Sequence, residues 1–230
     1  MIKKEKFLGI LGGMGTYAGL NFVKNLLKEW ENTYKIEKEW DYPRFILDNN
    51  CKLPSRVRCI IYKERSPVNG MVQSIKNLKN SGVDVVIIPC NTAHYFLDEI
   101  RKKVDIEIVD MIELLFRYLK ENKIKKINVL ASEGVAIADI YGKYDRGVEI
   151  KYAKNKTIPR SVIEDVKKNN ITDSTIKNFK KILEKKAYNV LGCTEFSLLY
   201  SENKNIFNNY KIIDSEDITI EYLIKYIKYG

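Results

Sequence analysis

Ile87-Ile88-Pro89-Cys90-Asn91-Thr92-Ala93-His94 and, near the other end of the chain, Val190-Leu191-Gly192-Cys193-Thr194-Glu195 decide how this sequence is read. Each is a short apolar run that stops at a cysteine followed by an amide or hydroxyl side chain. Such runs suit the buried strands of a parallel sheet, and in an open parallel sheet ligands bind at the carboxyl ends of the strands. Cys90 and Cys193 are therefore expected to meet across one pocket. Two opposed thiols suit a reaction that takes a proton from one face of a carbon and returns one to the other.

Working outward, strand-like runs alternate with amphipathic periodicity. Strands are expected at 7–11, 44–47, 85–88 and 106–109, with helices at 18–30, 68–78, 92–102 and 112–119. The alternation then recurs, with strands at 127–130, 148–152 and 190–191, a glycine turn at Gly134, and helices at 160–167 and 174–185. This is the pattern of an α/β protein with mainly parallel sheets flanked by helices. Two similar domains are expected, one of residues 1–108 plus 211–230 and one of residues 109–210. The duplication is loose, because Gly12 to Cys90 covers 78 residues and Gly134 to Cys193 covers 59. After Ile212-Ile213, Asp214-Ser215 reads as an N-cap. The helix that follows places Ile218, Tyr222, Leu223, Tyr226 and Ile227 on one stripe and is expected to return to the first half.

Composition limits the function. A chain of 230 residues, 45% of them hydrophobic, can bury a sizeable core. The formal net charge is +10, yet lysines are interleaved with acids, as in Lys28-Glu29-Trp30-Glu31, and Lys123-Ile124-Lys125-Lys126 is the one dense basic cluster. No nucleic-acid partner is expected, since a phosphate-binding face needs more, while a positive protein attracts small anions. No apolar run approaches the roughly 18 residues of a membrane-spanning helix, so no membrane partner is expected and the chain is read as cytoplasmic. Cys51, Cys59, Cys90 and Cys193 form no C-x-x-C and have one histidine to accompany them. Free thiols and no metal site are the expectation. Cys51 and Cys59 are read as buried and inert, and the aromatic residues at Tyr17, Phe22, Trp30 and Trp40 as core or dimer contacts.

Gly9-Ile10-Leu11-Gly12-Gly13-Met14-Gly15 lies between the first strand and the first helix. The spacing departs from the G-x-G-x-x-G of dinucleotide-binding turns. What remains is a turn whose backbone N–H groups can approach an anion at a helix N-terminus, a carboxylate more readily than a phosphate here.

Together, the glycine turn, Pro89-Cys90-Asn91-Thr92-Ala93-His94 and Leu191-Gly192-Cys193-Thr194-Glu195 resemble the aspartate/glutamate racemase family, nearest its aspartate racemase branch. The resemblance implies two similar domains related by a pseudo-twofold axis, an active site between them and a homodimer. It also implies racemisation without cofactor, most simply of L-aspartate to D-aspartate, with Cys193 facing the α-hydrogen of the L-enantiomer and Cys90 that of the D-enantiomer. Glutamate or another amino acid of the family's range is the alternative substrate, and a non-catalytic amino-acid-binding homologue the alternative of another class.

Such chemistry needs a thiolate and preorganised donors, because an α-hydrogen is very weakly acidic. Asn91, Thr92 and Thr194 follow the cysteines at strand-to-helix turns and are expected to surround the α-carboxylate. A free thiol titrates at about 8.5, and a helix N-terminus is expected to bring both cysteines toward neutrality. The resemblance adds Met14 and Gly15 in the turn, Arg56 for the distal carboxylate, Ser132, and Lys167 at a helix end, with Lys168 the adjacent choice. The family pattern departs in two places: Ser55 stands where an aspartate is usual, and Ala131-Ser132-Glu133-Gly134-Val135 where threonines are. Glu195 is a candidate for holding the substrate ammonium, and His94 for bonding near the pocket, lowering the thiol's pKa, or capping.

Overall fold

Leu8-Gly9-Ile10-Leu11-Gly12 is buried at every position, without the alternation of a strand that has one face in water. It is the first strand of a parallel sheet covered on both faces. The computed structural model describes residues 5–144, 147–153 and 157–230. The first half runs β1 (Leu8–Gly12), α1 (Thr16–Thr33), β2 (Phe45–Asn49), α2 (Arg56–Tyr62), α3 (Val68–Asn80), β3 (Val85–Ile87), a 3-10 turn over Asn91–Phe96, α4 (Leu97–Arg101), β4 (Glu107–Val109) and α5 (Met111–Glu121). The second half runs β5 (Lys126–Ala131), α6 (Glu133–Ile137), β6 (Glu149–Tyr152), α7 (Thr157–Lys167), α8 (Asp173–Ile182), β7 (Tyr188–Gly192), α9 (Thr194–Glu202), β8 (Lys211–Asp214) and α10 (Ser215–Tyr229).

The strand orders are β2-β1-β3-β4 and β6-β5-β7-β8, with every pairing parallel. The same order occurs twice, so β3 and β7, the strands that lead to Cys90 and Cys193, take equivalent inner places beside β1 and β5. The loops that leave their carboxyl ends meet the loops after β1 and β5. The two sheets flanked by helices make an α/β protein in two domains, as the alternation of runs implied.

Helices α1 and α10 seal one face of the first sheet, where Phe22, Leu26 and Trp30 pack with Leu223, Ile224 and Ile227 over Leu8, Ile10, Val85 and Ile87. Each such side chain contributes about 1.5–3 kcal/mol when fully buried, so the returning helix is firmly held. A second cluster extends from Met71, Ile75 and Val86 to Ile127, Val129 and Val190, joining the halves beneath the cleft. No helix among the described residues is long and apolar enough to cross a membrane.

Several expectations are corrected. The segment expected to join the first half at residue 211 begins with β8, which pairs with β7 in the second sheet, and Val109, expected in the second domain, belongs to β4. Gly134 is not a turn but a buried residue of α6, where an added Cβ would come 3.2 Å from Thr92 Cγ2 and 3.4 Å from Val57 Cα. Residues after Cys90 form a 3-10 turn before α4 instead of one continuous helix. Cys51 is exposed and Cys59 half-buried. Phe22 and Trp30 are core, whereas Tyr17 and Trp40 are exposed.

Candidate active site

Between the halves lies a cavity of about 320 Å³. Cys90 and Cys193 both line it, each 7% exposed. Met14, Arg56, Asn91 and Thr92 reach it from the first half, and Ser132, Lys167, Thr194 and Glu195 from the second. Gly15 stands behind this wall. Its φ of 134° favours glycine, and a Cβ there would fall 2.5 Å from Glu195 Oε1. Its service is to leave room for that carboxylate.

Arg56 opens α2, a helix that the sequence pattern did not reveal. Ser55 supplies the cap, its Oγ accepting from the Arg58 N–H at 3.3 Å, so serine does here what an aspartate would. The Arg56 guanidinium donates from Nη1 to the Pro54 carbonyl at 3.0 Å and from Nη2 to the Met14 carbonyl at 3.3 Å. Its buried Nε has no hydrogen-bond partner among the described residues.

Thr92 and Ser132 join their hydroxyls at 2.9 Å across the halves, and Ser132 caps α6. Thr194 donates its hydroxyl to the Pro89 carbonyl at 3.3 Å. Its hydroxyl, expected on a ligand carboxylate, is thus engaged in structure. What Thr194 and Glu195 offer are first-turn N–H groups of α9, which have no intrahelical acceptor.

Glu195 joins both parts of the site. Its Oε2 accepts from Cys193 Sγ at 2.9 Å, while Oε1 stands 3.7 Å from Lys167 Nζ and has no hydrogen-bond partner among the described residues. At 3.7 Å the lysine is an ion-pair neighbour rather than a donor. Lys167, and not Lys168, lines the cavity.

His94 lies outside the cavity wall, fully buried. Its Nδ1 bonds the Cys90 carbonyl at 3.0 Å and its Nε2 accepts from the Met111 N–H at 3.3 Å. That pattern fixes a neutral ring with the proton on Nδ1, and burial pushes its pKa down. A neutral imidazole caps α5 and braces the Cys90 turn, which sets aside thiol activation by charge.

One further wall was missed. Arg160, Ile163, Glu164 and Lys167 all line the cavity and recur at i, i+3, i+4 and i+7 of α7, the spacing of one helical face. Placing Lys167 at the pocket should have brought the other three with it. Arg160 pairs with Glu133 at 2.5 Å, and Tyr62 of the opposite half lines the same cavity.

The sequence profile of the Asp/Glu/hydantoin racemase family matches residues 11–223. The chain belongs to that family. Among relatives of this racemase-family chain, the broad specificity amino-acid racemase RacX of Bacillus subtilis (strain 168) is 27% identical over 141 residues, 61% of this chain and 60% of the relative. The glutamate racemase of Aquifex pyrophilus is 28% identical over 156 residues, 66% of this chain and 61% of the relative. The chain thus matches about three-fifths of the length of these curated relatives. Among solved structures, the aspartate racemase of Picrophilus torridus superposes with a TM-score of 0.84 at 26% identity, covering 96% of this chain and 94% of that one. Glutamate racemase isoform RacE1 of Bacillus anthracis superposes with a TM-score of 0.69 at 19% identity, covering 99% and 83%, and shares the fold.

In this member of the racemase family the thiol at the head of α9 is not brought toward neutrality. Burial pushes Cys193 well above the ordinary thiol range, and the Glu195 carboxylate pushes further, by its charge and its hydrogen bond; Lys167 only partly opposes. Desolvation and a like charge outweigh the helix N-terminus. Glu195→Gln should therefore lower the Cys193 pKa. A thiolate-absorbance titration of that variant in a Cys90→Ser background should show one thiol titrating at lower pH than with Glu195 present, and an unmoved titration would refute the assignment.

Proposed function

We propose that this protein racemises an acidic amino acid, aspartate foremost, by two-base proton transfer between Cys90 and Cys193 without a cofactor. One observation carries the reading: the two thiols share a cavity with a buried guanidinium Nε–H and a buried carboxylate oxygen, neither with a hydrogen-bond partner among the described residues. A zwitterion with a second carboxylate complements both. Arg56 takes the distal carboxylate, Glu195 Oε1 the ammonium, and Asn91, Thr92 and the first-turn N–H groups of α9 the α-carboxylate.

For the D-enantiomer the Cys90 thiolate removes the α-proton. The electron pair moves into the α-carboxylate, whose growing charge meets those donors, and the protonated Cys193 gives its hydrogen to the opposite face. For the L-enantiomer Cys193 must first lose its proton, and Glu195 Oε2 at 2.9 Å is placed to take it.

The likeness to the Picrophilus torridus aspartate racemase, which spans nearly all of both chains, favours aspartate. The glutamate racemases among the sequence relatives and the roomy cavity make glutamate the second reading. A homodimer and a reducing, cytoplasmic setting fit the family resemblance and the free thiols. The test is incubation of the purified protein with each enantiomer of aspartate and glutamate, with chiral chromatography of the products. Inversion of aspartate faster than glutamate is the expected result, and binding without inversion of any acidic amino acid would overturn the reading.

A further inference from the structure

Beneath the cavity floor a buried polar path connects the two thiol turns. The Tyr141 hydroxyl donates to Asn91 Oδ1 at 2.8 Å, and Asn91 is the residue after Cys90. The other side of that amide, Nδ2, faces Ser215 Oγ at 3.5 Å. Ser215 donates to the Leu191 carbonyl at 2.8 Å, two residues before Cys193. Tyr141 and Ser215 are fully buried and Asn91 is 2% exposed, so water does not compete for these bonds. A Cβ on Gly192 would stand 2.9 Å from the Tyr141 hydroxyl, so a glycine beside Cys193 makes space for that oxygen. Burial pushes the Tyr141 pKa up, which keeps the phenol a donor and the Asn91 oxygen its acceptor. The amide is thereby held with its NH₂ away from Tyr141.

We propose that Tyr141 and Ser215 are positioning residues, a buried strut through Asn91 that fixes the separation of the Cys90 and Cys193 turns and the orientation of the Asn91 amide. The inference rests on the racemase reading above. A proton removed at one thiol and delivered from the other requires both sulfurs in reach of one carbon, and displacement by about 1 Å costs on the order of 100-fold in rate.

The experiment compares Tyr141→Phe and Ser215→Ala with Tyr144→Phe. Tyr144 belongs to the same 3-10 turn (Tyr141–Tyr144), but its hydroxyl donates to Asp110 Oδ2 at 2.8 Å, away from the thiols. In D₂O, Tyr141→Phe and Ser215→Ala should each lower kcat roughly 10- to 100-fold with KM changed less than about three-fold. They should also raise the ratio of α-deuteration with retention to inversion. Tyr144→Phe should leave kcat and that ratio near the parent values. A second readout does not need turnover: dibromobimane fluoresces only when both arms are alkylated, so with Cys51 and Cys59 replaced by serine it reports the span between the remaining thiols. The cross-linking rate should change in Tyr141→Phe and not in Tyr144→Phe. Parent-like kcat, exchange ratio and cross-linking in both strut variants would overturn the strut, as would an equal loss in Tyr144→Phe. A parent protein that cross-links but never exchanges an α-proton would instead overturn the racemase reading alone.

Discussion

Cys90→Ser and Cys193→Ser are each expected to lower racemisation of aspartate by roughly 100- to 10,000-fold, the usual contribution of a positioned acid or base. A serine hydroxyl is far too weak an acid to stand as an alkoxide in this cavity. Each variant keeps the other thiol, and so keeps half of the reaction. Cys193→Ser retains Cys90 and should still exchange the α-proton of D-aspartate with solvent, returning D-aspartate. Cys90→Ser should do the converse with L-aspartate. Since inversion needs both thiols, the double variant should lose little beyond either single one, the non-additivity expected of residues that act as a unit. The measurement is chiral chromatography with mass spectrometry of the recovered amino acid. Racemisation at the parent rate by either single variant would end the two-thiol assignment.

Stability should respond most to Glu216→Gln. Glu216 is fully buried where α1, α9 and α10 meet. Its Oε1 accepts from Asn21 Nδ2 at 3.2 Å and Asn25 Nδ2 at 3.0 Å, and its Oε2 has no hydrogen-bond partner among the described residues. Asp214 caps α10 beside it, accepting from Ser197 Oγ at 2.7 Å and the Glu216 N–H at 2.9 Å. Asp217 lies beyond, 3.7 Å from Lys204, with Glu29 close enough to act on it. Burial raises both inner carboxyls, Asp214 to about 7, and each is raised further by neighbouring acid. The sign follows from the protonated form being the one the fold prefers. Below an unfolded carboxyl pKa of about 4 both states are protonated and nothing is lost. As pH rises toward the folded pKa, the unfolded chain releases protons that the folded chain retains, and stability falls. A glutamine keeps the bonds to Asn21 and Asn25 without the ionisation. Glu216→Gln should therefore be more stable than the parent at pH 8, with a higher Tm. The gain should fade toward pH 4. A variant destabilised equally at both pH values would show that the carboxyl is not strained by its surroundings.

The fold was legible because its strands are apolar throughout and its helices carry one apolar stripe; those two periods separate cleanly in 85–88 and 112–119. Both thiols and the residues directly after them on the cavity wall could be read from motifs at strand ends, and the family resemblance added Met14, Arg56, Ser132 and Lys167. What escaped was set by tertiary contact. Gly134 looked like a turn because glycine usually punctuates the chain, yet it is there so that α6 can approach Thr92 and Val57. Helix α2 was hidden because Arg56-Val57-Arg58-Cys59-Ile60-Ile61-Tyr62 is short and has one buried position, Ile60. The local sequence around Cys193 shows its helix N-terminus but not the burial and the Glu195 charge that outweigh it. Strand β8 is hard to place from sequence, since Ile212-Ile213 does not say which sheet it joins, and it is pairing with β7 that decides.

The most direct test is the position of the label when L-aspartate is racemised in D₂O and stopped early. With two thiols on opposite faces of one α-carbon, the D-aspartate formed carries solvent deuterium while the remaining L-aspartate keeps its protium. Early D-aspartate that keeps the substrate's own hydrogen, or equal labelling of both enantiomers, would mean that one base serves both faces, and Cys90 and Cys193 would not share the reaction.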